Sequence, residues 1–123
     1  MIFESHAHYD DEAFNEDRDE LLGSFPEKGI EYVINIGASL SSTESSIALA
    51  EKYPYVYAAA GVHPSDTAEL NEGNFDRIRQ ACLHEKAVAV GEIGLDYYWD
   101  TLEREIQQQG FERGASIRDK KYK

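Results

Sequence analysis

Cysteine is almost missing from this 123-residue chain: Cys82 stands alone. A single thiol excludes an internal disulfide and suits a reducing compartment, so a cytoplasmic location is expected. Cys82 lies near the end of a helical pattern, where it reads as a small apolar packing residue rather than a reactive thiol. Basic residues are scarce as well. Twelve Lys and Arg stand against 24 Asp and Glu, for a formal net charge of -12. Phosphate contacts need Lys and Arg, so this balance excludes a passive nucleic-acid-binding module. It does not exclude an enzyme of phosphodiesters, because bound divalent cations add positive charge that the sequence sum omits. No apolar run exceeds the length of a strand, which excludes a bilayer span and any membrane partner. The N-terminus lacks the basic start and long apolar core of a secretory signal. What remains is globular in character, with 41% hydrophobic and 11% aromatic residues, enough for one domain with a core.

A β-prone run followed by an amphipathic stretch occurs four times. Strands are expected at about Ile2 to Ser5, Tyr32 to Ile36, Val56 to Ala60 and Ala87 to Val90. Helices are expected at about Asp17 to Lys28, Ser42 to Tyr53 and Asn74 to Leu83, with a fourth beginning near Thr101. Their inward positions are Leu21, Leu22 and Phe25, then Ile47, Leu49 and Ala50, then Phe75, Ile78 and Cys82. Strands alternating with helices indicate an α/β fold of parallel βα units. The strands read as near-continuous apolar runs, the pattern of strands covered on both faces.

The residues able to do chemistry gather at the C-terminal ends of these strands. His6 and His8 follow the first, and a strand end puts residues i and i+2 on one face. Two imidazoles can thus aim at one point, and imidazole is the commonest side-chain metal ligand. His63 and Pro64 follow the third strand; a residue before proline is held extended, so the His63 ring sits at the strand mouth, able to touch a substrate phosphate. Glu92, flanked by Gly91 and Gly94, follows the fourth and is the carboxylate expected to join the histidine pair. In a parallel sheet all these ends share the edge where βα enzymes place their sites. Asp96 reads as a turn residue capping the next helix, and Tyr97, Tyr98 and Trp99 as packing beneath a loop. The acids Asp10, Asp11, Glu12, Glu16, Asp17, Asp19 and Glu20 lack the glycine and spacing of a calcium loop and read as a solvated face.

Three segments now combine. Ile2-Phe3-Glu4-Ser5-His6-Ala7-His8, Gly61-Val62-His63-Pro64 and Gly91-Glu92-Ile93-Gly94-Leu95-Asp96-Tyr97, in this order and each after a strand, resemble the TatD family of metal-dependent hydrolases, over about Ile2 to Arg113. The resemblance implies roughly the first half of a TIM-type (β/α)₈ barrel. It implies a deoxyribonuclease or phosphoesterase using one or two divalent metals, with Mg, Mn and Zn all candidates, and nucleic acid as substrate. It makes His6 and His8 ligands of the first metal and Glu92 a catalytic carboxylate shared by both metals. The family's remaining ligands, two histidines and an aspartate, follow later strands that this sequence does not contain, and His84 belongs to the opposite, helix-to-strand end of the strands. Glu4 stands where the family usually has Asp.

The end of the chain changes character. Residues 110–123 carry a net +3 while residues 1–109 carry -15. Gly110 and Gly114 are expected to interrupt the helical run there. The expectation is a half barrel over 1–109 and a divergent basic tail over 110–123, the product of truncation or a frameshift. A half barrel exposes its inner face and needs a homodimer partner or a complementary half. Three readings stay open: an active nuclease assembled from such parts, a catalytically inert remnant that still binds a metal, and a barrel metallohydrolase of the amidohydrolase type.

Overall fold

Four parallel strands lie side by side in sequence order, β1 (Ile2–Ala7), β2 (Ile30–Ile36), β3 (Val56–Ala60) and β4 (Ala87–Val90). The computed structural model describes residues 2–95 and 103–121. Each crossover is helical: α1 (Arg18–Gly23) with a 3₁₀ turn at Pro26–Lys28 joins β1 to β2, α2 (Leu40–Lys52) joins β2 to β3, and a 3₁₀ segment (Pro64–Glu69) with α3 (Glu72–Leu83) joins β3 to β4. A last helix, α4 (Arg104–Lys121), follows.

Local chemistry sets the helix ends. Ser39 caps α2 by accepting the Ser42 N–H, and Asn71 caps α3 by accepting the Asn74 N–H. The single helix expected from Asp17 to Lys28 is instead α1 plus a 3₁₀ turn. Pro26 has no N–H and its ring collides with the carbonyl four residues back, so an α-helix cannot run through it. Gly29 then ends the turn at φ 80°, a conformation that costs glycine little. The C-terminus of α2 is closed by the Lys86 ammonium, which donates to the carbonyls of Ala50, Tyr53 and Pro54 at 2.5, 2.8 and 3.3 Å. Burial lowers the pKa of that ammonium.

Two apolar clusters fill the space between sheet and helices. One joins Val33, Val56 and Ala58 to Leu22, Phe25, Leu49 and Ala50; the other joins Ala60 and Val62 to Leu40, Ile78, Cys82 and Ile117. Cys82 is 1% exposed, as its packing role requires. The opposite face is a different surface. Phe3, Tyr32, Ile34, Tyr57 and Val88 line an open apolar trough there, with Phe3 57% and Tyr32 42% exposed. Coverage of both faces, expected from the apolar strands, is therefore present on one face only among the described residues.

The expected break at Gly110 is not a break in secondary structure. Helix α4 passes through Gly110 and Gly114 to Lys121. Glycine costs a helix about 1 kcal/mol relative to alanine, and here both positions return close packing. A Cβ at Gly110 would collide with the Thr67 side chain and one at Gly114 with Ile93. Gln107 and Ile117, on the same helix face, are 0% and 5% exposed. Arg113 adds donations to the Leu70 carbonyl and Glu72. Small residues at helical spacing replace the apolar ones by which such a face is usually recognised. No described helix is long and apolar enough to cross a membrane.

Candidate metal centre

The histidine pair reaches the inner face through an irregularity in β1. Glu4 pairs with Val33 and Ala7 with Asn35, so β1 spends three residues where β2 spends two. Strict alternation would put residue 6 on the same side as Glu4, toward the helices. The extra residue reverses the parity. Ala7 then packs with the core at 8% exposure, and His6 and His8 turn to the other face. Their rings meet edge-on, centroids 5.1 Å apart at 78°. His6 is already inside β1 rather than beyond it, because the strand extends to Ala7. Glu4 stays on the helix side, where it adds to the effect of burial in raising the pKa of the Tyr9 phenol. It takes no part in the cluster.

Glu92 arrives from the far edge of the sheet. Strands β1 and β4 are three strand spacings apart, about 14 Å in a flat sheet. Curvature and a backbone crossing close that gap. The Glu92 N–H donates to the Gly37 carbonyl at the end of β2 at 2.6 Å, so the chain leaving β4 passes over the end of β3. Gly61 makes the crossing possible. A Cβ there would lie 2.6 Å from the Gly91 carbonyl carbon and 2.9 Å from the Glu92 oxygen. Thr43, fully buried, fixes Gly61 by donating to its carbonyl at 2.8 Å and accepting its N–H at 3.1 Å. Because the colliding atoms are backbone, Gly61→Ala is expected to lower stability by about 1–3 kcal/mol. Displacement of Glu92 should also weaken divalent-metal binding about tenfold. Urea denaturation and a zinc titration measure the two effects separately.

The result is one compact donor set. Among the described residues, His6, His8 and Glu92 form the one group of potential metal ligands, their donor atoms all within 4.8 Å of one another. His6 Nε2 lies 3.9 Å from Glu92 Oε1. His8 Nδ1 is 3.1 Å from the Ile36 carbonyl. A carbonyl only accepts, so Nδ1 carries the proton and Nε2 presents its lone pair, the orientation that ligating histidines take. Ligands of a tetrahedral zinc at about 2.0–2.2 Å are roughly 3.4 Å apart, so a modest side-chain contraction would seat a cation. Two imidazoles and a carboxylate suit Zn, Mn or Fe and leave a coordination position open.

The segment after His8 is pinned from two sides. Asn35, 0% exposed, accepts the Tyr9 N–H at 2.6 Å and donates to Asp10 and to Ser46, each at 2.8 Å. Arg18 donates to the Tyr9, Asp10 and Asp11 carbonyls. Neither residue stands out as functional in the sequence. The available signal is an amide within the apolar run Tyr32-Val33-Ile34-Asn35-Ile36. Asp10, expected within a solvated acidic face, belongs to this network instead.

His63 sits at the same edge but outside the donor set. Its N–H donates to the Ala38 carbonyl at 2.7 Å, tying the β3 and β2 ends together. His84 is at the opposite edge, before β4, with Nε2 3.1 Å from Glu51. Asp96, Tyr97, Tyr98 and Trp99 lie outside the described residues.

Comparison with known proteins gives a consistent picture. The family model described as TatD related DNase matches residues 3–118. The uncharacterized metal-dependent hydrolase YabD of Bacillus subtilis is 33% identical over 117 residues, covering 95% of this chain and 46% of YabD. The 3'-5' ssDNA/RNA exonuclease TatD of Cronobacter sakazakii is 34% identical over 84 residues, covering 68% of this chain and 32% of that protein. Among solved structures, YjjV, a TatD homolog from Escherichia coli, matches with a TM-score of 0.82 at 30% identity, over 94% of this chain and 46% of YjjV. The chain thus spans less than half the length of these relatives. Its four βα units correspond to the first half of their TIM-type barrel.

Proposed function

The chain belongs to the TatD-related DNase family, and from that premise we propose that it carries one side of a divalent-metal centre for hydrolysis of phosphodiester bonds in nucleic acid. The observation that supports this most is the convergence of His6, His8 and Glu92. His6 and His8 would hold the cation through ring nitrogens and Glu92 through its carboxylate. A divalent cation bound there supplies Lewis acidity toward a phosphoryl oxygen and makes water acidic enough to yield a nucleophile near neutral pH. The protein's own groups orient that chemistry. The Ile36 carbonyl fixes the His8 ring and the Gly37 carbonyl fixes the Glu92 backbone; where two cations are bound, Glu92 would be the carboxylate they share. His63, at the same edge, contacts a substrate phosphate. Zn, Mn and Mg are the candidate ions.

In this reading a second copy or a complementary barrel half covers the open trough of Phe3, Tyr32, Ile34, Tyr57 and Val88. The same exposed face favours a second reading, a catalytically inert chain that still binds a metal. The experiment combines oligomeric mass, metal content and cleavage of single-stranded DNA with Mg, Mn or Zn. Metal-dependent cleavage that His6→Ala abolishes supports the hydrolase reading. Bound metal with no cleavage supports the inert one. Cleavage unchanged in His6→Ala contradicts the assignment of the site. Hydrolysis of amide or lactone substrates with no phosphodiester cleavage points instead to the amidohydrolase type.

A further inference from the structure

Helix α4 packs against the segment that carries Glu92. Gly114 packs beneath Ile93, the residue immediately after Glu92: a Cβ at Gly114 would lie 2.7 Å from Ile93 Cγ2, 3.5 Å from its Cβ and 3.7 Å from its Cδ1. From this geometry we infer that Gly114 and Ile93 are positioning residues, and that α4 sets where the Glu92 carboxylate stands. The inference rests on reading His6, His8 and Glu92 as the metal centre.

The direction of control follows from what is anchored. Helix α4 is held elsewhere along the same face, by Gly110 against Thr67 and by Ile117 in the core with Ala60, Val62 and Ile78. Arg113 ties it to Leu70 and Glu72. Ile93 lies in a segment outside any helix or strand, so its backbone is less constrained than that of α4. When the two are crowded, Ile93 is the side that yields. Glu92 is one peptide away, and its backbone is already wedged between the Gly37 carbonyl and Gly61. A shift at residue 93 turns the peptide that joins it to Glu92, and with it the direction in which the Glu92 side chain leaves the backbone. The basic segment that reads as a divergent tail thereby becomes part of the support of the site.

Zinc titration of the full chain tests this, with far-ultraviolet circular dichroism as a check on folding. Gly114→Ala is expected to bind zinc about tenfold more weakly with its helix content retained. Ile93→Ala removes the contact without a clash and is expected to weaken binding by a similar factor. Combining the two lets the new methyl meet the remaining Cβ and should return affinity to within about threefold of wild type. Phe111→Ala alters the exposed face of the same helix and should leave affinity within threefold. Wild-type affinity in Gly114→Ala and Ile93→Ala, or an equal loss in Phe111→Ala, overturns the inference while leaving the metal centre standing. A wild-type chain that takes up no zinc overturns the metal reading, and this inference with it.

Discussion

Replacing His6 by alanine is expected to weaken zinc binding by roughly two to three orders of magnitude while leaving the fold intact. A four-ligand structural zinc site returns about 10–16 kcal/mol, or about 2.5–4 kcal/mol per ligand. Each 1.4 kcal/mol is tenfold in affinity. The His6 side chain is 56% exposed, so its removal opens no cavity, and surface changes of this kind shift stability by about 0.5 kcal/mol or less. Glu92→Gln should lose a similar factor, since the amide keeps the shape but not the charge. His8→Ala should lose affinity and some stability together, because it also breaks the bond to the Ile36 carbonyl. Isothermal titration with zinc, alongside thermal melts, distinguishes the three variants. An affinity loss confined to His8→Ala would show that His6 and Glu92 are only neighbours.

Asn35→Ala is expected to be the most damaging single change to stability, about 2–4 kcal/mol in urea denaturation. The fully buried amide makes three bonds, and truncation leaves the Tyr9 N–H without its acceptor while the Asp10 carboxylate and the Ser46 hydroxyl each lose a donor. The loss extends to the site, because Tyr9 and Asp10 directly follow His8. Zinc affinity should fall about tenfold, as for other losses of support behind a ligand. Asn35→Asp should be no better. It sets a second carboxylate beside Asp10 at the 2.8 Å contact, where two adjacent charges repel. Lowering the pH should partly restore that variant, since one proton shared by the pair removes the repulsion. A variant whose stability is unchanged by pH would argue that Asn35 and Asp10 are not in contact.

The strands of this fold lie close to the surface of the sequence. Val56–Ala60 and Ala87–Val90 are apolar runs bounded by turn residues, and parallel pairing follows from their alternation with helices. The grouping of His6, His8 and Glu92 on one edge also follows from that alternation, because strand polarity alone carries them there. The mechanism of their meeting does not. The irregularity in β1 that turns the histidines inward is a matter of register with β2, and register depends on a partner strand some thirty residues away. The role of Gly61 is equally hidden, since a glycine after a strand reads as a turn whether or not another backbone crosses it. Asn35 looks like a flaw in an apolar strand until Asp10 and Ser46 are seen around it. The glycines of α4 mislead for the opposite reason: propensity says interruption, and packing against Thr67 and Ile93 prevails. Local rules fail here where a contact distant in sequence decides the conformation.

X-ray absorption spectroscopy of the zinc-loaded chain tests the central claim most directly. The account predicts two imidazole nitrogens and a carboxylate oxygen at about 2.0–2.2 Å, with a nitrogen lost in His6→Ala and the carboxylate contribution lost in Glu92→Gln. A sulfur ligand at about 2.3 Å, or a spectrum that neither substitution changes, would contradict it.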